Sequence, residues 1–304
     1  MEDKKYEIVE DMKSMYDGKV LYRIRALKDF DDVKKGDLGG YIQDYHNLSQ
    51  EGNCWIYNEA LVCGNAKVYF NANVYQQARI CDSSKVFGNA QVYGCAIIYN
   101  DVEVFGEAKV YGNAKIYDKV MIFGKANVYG DVNIYDTAVI CGSVKIYGDT
   151  RIYDRARVCG YVEIYDSAKI CDKVEIYGHA KVYGDVEIRH YARVHGDAEV
   201  YGNAKVCSHA EVFGDAKIKN KTITGKVNCD FDNIIEIQNP EGRLVTAILK
   251  DGEIYYTLGC QNNITEEKFR YRIENTEGGL ERNPHRKFYY TIIDMVKLCF
   301  ANNK

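Results

Sequence analysis

The stretch Val110-Tyr111-Gly112-Asn113-Ala114-Lys115 is one period of a six-residue pattern, and Ile116-Tyr117 opens the next. From Ile56 to Ile218 every sixth residue is Val or Ile, without exception. Within that span, four residues after each stands Ala or Val, with Ser84 and Thr150 the only departures. A six-residue period fits neither a helix nor a hairpin meander. It fits short strands joined by tight corners and wound in one direction, a β-helix. Around each aliphatic residue the chain alternates as a strand must, with Ala114 in, Lys115 out, Ile116 in and Tyr117 out. The next two positions are mostly Gly, Asp or Asn followed by a polar residue, as in Gly130-Asp131 and Asp154-Arg155. Such residues accept the cramped geometry of a corner.

The outward aromatic position tells how many strands close one turn. Taken every 18 residues from Tyr57, it reads Tyr75, Tyr93, Tyr111, Tyr129, Tyr147, Tyr165, Tyr183 and Tyr201. The phase that begins at Tyr69 holds every Phe of this position: Phe87, Phe105, Phe123 and Phe213. The third phase holds Cys63, Cys81, Cys171 and Cys207 around Tyr99, Tyr117, Tyr135 and Tyr153. Residue type sorts by 18, not by 6 or 12, so three strands make one coil. The expected fold class is mainly β: a three-sided parallel β-helix of about nine coils of 18 residues. At ~4.8 Å per coil its rod is on the order of 43 Å long. The spacing of aliphatic and small residues favours the left-handed hexapeptide-repeat type; a right-handed three-sided form satisfies the same count.

The chain has 304 residues, 46% of them hydrophobic, and a formal net charge of -4. That is ample for a core. No run approaches the ~18 apolar residues of a membrane span, and Met1-Glu2-Asp3-Lys4-Lys5 opens no signal peptide, so a cytoplasmic protein is expected. Of 11 Cys, Cys63, Cys81, Cys141, Cys159, Cys171 and Cys207 occupy the outward repeat position, interchanging there with Tyr and Phe. They are expected to be reduced and to act as small hydrophobes. Stacked pairs such as Cys63 and Cys81 have a suitable Cα separation, but their side chains point the same way, which is expected to strain a disulfide. There is no Cys-x-x-Cys pair, no Cys/His cluster of zinc spacing and no Gly-x-x-x-x-Gly-Lys-Ser/Thr loop. No metal and no cofactor is expected.

A β-helix must cap its ends to avoid end-to-end polymerisation. Residues 1–55 are read as a β cap, 56–219 as the β-helix, 220–229 as a linker and 230–304 as a small α+β domain. In the cap, Val20–Leu27 reads as a strand and Lys35–Gly40 as a turn, with Trp55 where cap meets first coil. After Lys219 the repeat breaks. Ile234–Ile237, Arg243–Leu249 and Ile254–Leu258 read as strands, the last two joined by a hairpin turn at Lys250-Asp251-Gly252-Glu253. Thr265-Glu266-Glu267 starts a helix that runs to about Glu274. Pro284 opens a last helix to about Phe300, with Ile292, Ile293, Val296 and Phe300 on one face.

The cap segment Ala26-Leu27-Lys28-Asp29-Phe30-Asp31-Asp32-Val33-Lys34-Lys35-Gly36, then Gly39-Gly40 and Asn47–Tyr57, resembles the opening of the YdcK-type hexapeptide-repeat proteins of bacteria. The resemblance covers residues 20–60 closely and the repeats generically. It implies a hexapeptide-repeat β-helix, and the family's transferase label implies an activity by fold analogy alone. The C-terminal domain resembles small modules appended to uncharacterised bacterial and phage proteins, and implies no chemistry.

Many hexapeptide β-helices are acyltransferases, which usually extrude a loop from the coils and set a catalytic His where two subunits meet. Here the register runs unbroken from Ile56 to Ile218. His195 replaces an aromatic on one face, while His179, His190 and His209 fall at corners, none with a partner acid at useful spacing. No catalytic residue is expected. Carboxylates such as Asp166 and Asp172 fall on different edges and are read as solvated.

Sorting outward residues by 18 gives three faces. The Tyr57–Tyr201 face suits protein contact, since Tyr is enriched at interfaces; high strand propensity explains the Tyr column equally well. The second face carries Phe87, Phe105, Met121, Phe123, Val139, Cys141 and Cys159. So long an apolar column is expected to bury itself, in a two-fold homodimer or under the C-terminal domain. The third face aligns Arg79, Lys115, Arg151, Lys169, Arg189 and Lys205 with Tyr99, Tyr117, Tyr135 and Tyr153. Those are the ingredients of a nucleic-acid or nucleotide stripe, but Asp118, Asp136, Asp154, Asp166 and Asp172 offset the field. The functional expectation is a non-catalytic scaffold, a homodimer binding an unidentified protein partner. A phage-type counter-defence effector and an acyltransferase are the rival readings.

Overall fold

The computed structural model describes residues 4–223, 226–227, 234–238, 244–250, 252–258, 261–275 and 287–301. The chain is a parallel β-solenoid of about ten turns, with a small antiparallel sheet and two helices near the C-terminus. It divides into two compact units, Met1–Asp172 and Lys173–Lys304.

In the first unit three walls of short parallel strands rise in strict register. Ile56 pairs with Val74, Val74 with Val92, and so on to Ile146 with Ile164. Val62, Ile80, Ile98 and Ile116 climb the Cys63 wall, and Val68, Val86, Val104 and Ile122 climb the Phe wall. Partners are 18 residues apart on every wall, as sorting by residue type requires. Each inward Val or Ile of the repeat is 0% exposed. Burying one is worth about 1.5–3 kcal/mol, so the column of aliphatics supplies the stability that such short strands lack. Ser84 and Thr150 stand in the small inward position and stay satisfied, donating to the carbonyls of Asn100 (3.2 Å) and Tyr147 (2.8 Å).

The cap is more elaborate than one strand. β1 (Tyr6–Tyr16) and β2 (Lys19–Ala26) form an antiparallel hairpin through Asp17-Gly18, and β3 (Leu38–Ile42) pairs antiparallel with β2. β3 then lies parallel to Leu61–Val62, and Leu48 bridges Val68. The cap therefore builds a turn of its own beneath the first repeat, one reason for ten turns rather than nine. Gly39-Gly40 is required by close approach. A Cβ on Gly40 would lie 2.3 Å from the Ala60 carbonyl oxygen, and one on Gly39 2.6 Å from Ile24. Trp55 is buried edge-on against Tyr6 and Phe30, at 6.1 and 5.3 Å. Lys5 is buried as well, its ammonium donating to the carbonyls of Glu51, Gly52 and Cys54.

In the second unit the same stacking continues, with Val182 on Val200, Ile188 on Val206 and Ile176 on Val194. Residues read as a linker supply two more strands. Thr222–Ile223 pairs with Lys205–Val206, and Lys226–Val227 pairs with Glu211–Val212. The coil shortens there: Val206 pairs with Ile223 and Val212 with Val227, fewer than 18 residues on, and the six-residue rhythm is lost. Beyond it β4 (Ile234–Gln238), β5 (Leu244–Lys250), β6 (Glu253–Leu258) and β7 (Gln261–Thr265) form an antiparallel sheet in chain order. α1 (Glu266–Asn275) and α2 (Lys287–Ala301) complete it, and Phe269, Ile273, Ile292, Ile293 and Val296 pack with Val245, Ala247 and Tyr256. β7 was not expected, because Gln261-Asn262-Asn263 carries no apolar alternation. Pro284 and the side chain of Phe300 lie outside the described residues. Among the described residues no helix is long and apolar enough to cross a membrane.

Candidate functional site

In-register stacking sets equivalent positions beside one another, and in the aromatic columns it sets like beside like. All seven residues expected to drive self-association share one wall of the first unit. Tyr69, Phe87, Phe105 and Phe123 stack nearly flat, with centroids 4.9, 4.8 and 4.9 Å apart. Cys141 and Cys159 continue that column. Met121 and Val139 stand side by side in the neighbouring column, preceded by Glu103 and followed by Arg157. Met121 is exposed and the Phe rings are half-buried.

Cys141 and Cys159 are joined by a disulfide, against the expectation of reduced thiols on a strained register. The ladder holds their Cα atoms 4.6 Å apart, within the range of about 4.4–6.8 Å that a disulfide spans. The sulfurs can therefore meet without either strand moving.

On the Cys63 wall Arg79, Lys115, Arg151 and Lys169 occupy one column, interrupted by Ile97 and Asn133. Beside it Tyr99, Tyr117, Tyr135 and Tyr153 stack at 5.0, 4.9 and 4.9 Å, their planes within 9° of parallel. Each inner ring has both faces covered by its neighbours. A nucleobase therefore finds no free face on Tyr117 or Tyr135 on which to stack. Arg79 is also engaged, its guanidinium lying 5.1 Å over the Tyr16 ring of the cap hairpin. Arg189 and Lys205 belong to the second unit, where Glu187 pairs with both, at 3.3 and 3.9 Å.

The acidic corner beside this wall is a ladder too. Asp82, Asp118, Asp136 and Asp154 accept the backbone N–H of Asn100, Asp136, Asp154 and Asp172 at 3.1–3.3 Å. These carboxylates therefore bind the next coil as well as offsetting the basic column. Burial pushes the Tyr117 and Tyr135 hydroxyls above their ordinary pKa, and the neighbouring tyrosines of Tyr117 add to its shift.

The Tyr57 wall repeats the theme, from Tyr93 on Tyr111 at 4.5 Å to Tyr147 on Tyr165 at 4.9 Å. Tyr57 at its foot donates to Asp32 at 2.6 Å. A shallow cleft of about 350 Å³ beside the cap is lined by His46, Ser49, Lys67, Val68, Tyr69 and Lys85.

In the second unit His195 stacks between Tyr177 and Phe213, at 4.5 and 5.4 Å, and its Nε2 lies 3.3 Å from a Glu211 carboxylate oxygen. A partner acid therefore exists, contrary to expectation. Their separation of 16 residues is one coil less two, a relation that only the coil geometry reveals. Elsewhere His190 Nδ1 accepts the Ser208 N–H at 3.2 Å, and His209 stacks on Tyr191. Among the described residues no group of three or more His, Cys, Asp or Glu is placed to hold a metal ion.

No family model matches the chain. It is similar to YdcK of Escherichia coli. That protein, described as an uncharacterized acetyltransferase, is 41% identical over 56 residues, 16% of this chain and 17% of YdcK. The match agrees with the resemblance seen at the cap, and the solenoid agrees with a hexapeptide-repeat β-helix. The chain thus spans about a sixth of its curated relative.

Proposed function

We propose that this chain is a non-catalytic interaction scaffold that pairs with a second copy through the Phe wall and offers its Tyr walls to a protein partner. The observation that carries this reading is the column Phe87–Phe105–Phe123. It is continuous, flat and half-buried, and it adjoins the exposed Met121 and the half-buried Val139. A solenoid presents such a column without any loop to break it, and apolar columns of this length are covered in stable assemblies. A two-fold pair needs only one such wall. Light scattering is expected to give twice the chain mass of 34.7 kDa for the wild type and the single mass for Phe123→Asp. A monomeric wild type, or a variant of unchanged mass, overturns the proposal.

An acyltransferase reading is favoured by a separate observation, the His195–Glu211 pair together with the name given to YdcK. A carboxylate that orients an imidazole is the arrangement a general base needs. If this reading holds, the protein hydrolyses or transfers acetyl from acetyl-coenzyme A and His195→Ala abolishes the turnover. Absence of coenzyme A binding by calorimetry removes it.

A further inference from the structure

We propose that Cys63 and Cys81 are an oxidation site, at which a small hydroperoxide joins the two sulfurs into a bond between adjacent coils beneath the N-terminal hairpin. The two residues follow paired strands on one wall, Leu61–Val62 and Arg79–Ile80. Their sulfurs lie 3.0 Å apart, and both thiols are free. The same one-coil register carries a completed disulfide on another wall, between Cys141 and Cys159. Bond formation at this spacing is therefore compatible with the ladder.

What distinguishes the Cys63 pair is its cover. Cys63 is 0% and Cys81 6% exposed, packed with Leu21 and Leu61 and flanked by Tyr16, Tyr41 and Tyr99. Leu21 and Tyr16 belong to the cap hairpin, and Arg79 holds Tyr16 in place over the same wall. The charged groups facing Cys63 are Lys19, at the start of β2, against Asp82 and Asp17. The Cys63–Cys81 hydrogen bond, with the Lys19 charge and against burial, holds the Cys63 thiol below its ordinary pKa, whereas the same contact and burial push Cys81 up. Cys63 attacking and Cys81 resolving is one order of events, and the reverse order gives the same bond.

The chemistry balances. The Cys63 thiolate attacks one peroxide oxygen and the O–O bond breaks. The other oxygen leaves as water or an alcohol after taking a proton, and Cys63 becomes a sulfenic acid. The Cys81 sulfur then attacks the Cys63 sulfur, the S–O bond breaks, and the departing hydroxide leaves with the Cys81 proton as water. Two thiols give up two electrons to one hydroperoxide. Burial selects the oxidant: a peroxide is small enough to reach the pair, and a glutathione-sized disulfide is not.

The test treats fully reduced wild-type protein with hydrogen peroxide or with glutathione disulfide, then alkylates under denaturing conditions and maps the peptides. Peroxide is expected to link the Cys63 and Cys81 peptides with the loss of two hydrogens, and glutathione disulfide to act far more slowly. Tyr16→Ala, which loosens the hairpin, is expected to narrow that difference. In Cys81→Ser a dimedone-type trap should capture the sulfenic acid on Cys63. Full alkylation of both thiols after peroxide, under conditions where the exposed Cys95 is oxidised, overturns the site. So does equal oxidation by both reagents in the wild type, which would show that the hairpin excludes nothing. The wild-type mapping decides even if a variant fails to fold.

Discussion

Thr150 departs from the repeat, yet it costs the fold little. Its hydroxyl donates to the Tyr147 carbonyl at 2.8 Å while the rest of the side chain fills a site that Val132 occupies one coil earlier. Thr150→Val keeps the volume but removes the donor and leaves the Tyr147 carbonyl behind, so it is expected to lower the unfolding free energy by about 1–3 kcal/mol. Gly94 is the opposite case. It sits at φ +74°, and a Cβ there would lie 2.8 Å from the Gly112 nitrogen and 2.9 Å from its oxygen. Gly94→Ala must pay for the left-handed backbone, about 1–2 kcal/mol, and for a clash with backbone that cannot yield. Gly18→Ala, with nothing within 4 Å, pays only the first cost. Urea midpoints should therefore fall further for Gly94→Ala than for Gly18→Ala, and equal shifts would show that the coils part easily.

At the scale of the element, the aromatic ladders are the unit to test. Tyr117 stacks on Tyr99 and Tyr135, and each stacked pair is worth about 0.5–1.5 kcal/mol beyond area burial. Tyr117→Ala is expected to cost about 1–3 kcal/mol, and Tyr117→Phe, which keeps both stacks, less than about 0.5 kcal/mol. Denaturant unfolding distinguishes them. Ionisation tests the same elements together. Burial raises the pKa of Tyr75, Tyr93, Tyr99, Tyr111, Tyr117 and Tyr135 above the ordinary value of 10.0. A folded-state pKa above the unfolded one means the stabilisation is complete below about pH 10 and is lost as pH rises through the folded values. Melting temperatures are expected to fall steeply above about pH 10, in step with a late rise in tyrosinate absorbance. A melt insensitive to alkali would show that the rings ionise freely.

These ladders were legible in the sequence because each is a period, and a period of 18 survives any local noise. β1 was not legible. Tyr6–Tyr16 is an outermost strand with Glu7, Glu10, Asp11 and Lys13 along it and a register shift between Val9 and Lys13. Charge and irregularity keep an edge from pairing, and they also erase the alternation by which a strand is read. The sulfur contacts escaped for a different reason. Spacing identified Cys63 over Cys81 and Cys141 over Cys159, but only coordinates tell how closely parallel side chains approach. His195 and Glu211, on adjacent coils, were hidden in the same way.

At the scale of the molecule, the cap determines whether the solenoid stays finite. β2 and β1 cover the side of β3 that faces away from the coils. Without them β3 presents a bare strand edge, a template for another chain. A chain lacking residues 1–37 is expected to form large assemblies in size-exclusion chromatography, where the full chain gives one small species. A truncated chain that elutes as the full one does would move the capping role elsewhere. No function could be read at this scale from the repeat, because Val and Ile at every sixth position specify walls and nothing that the walls touch.

The repeat inside has a shorter period than the pattern outside, and mutation by loss or gain of codons would expose the difference. Removing six residues from a coil would leave every buried aliphatic column intact, yet it would turn all later outward residues by one side, setting Phe over Tyr. Removing eighteen would shorten the chain by one storey and leave each side's identity unchanged. Length is thus free to drift in whole storeys, while the outer stacks, blind to the core, guard the order of the sides.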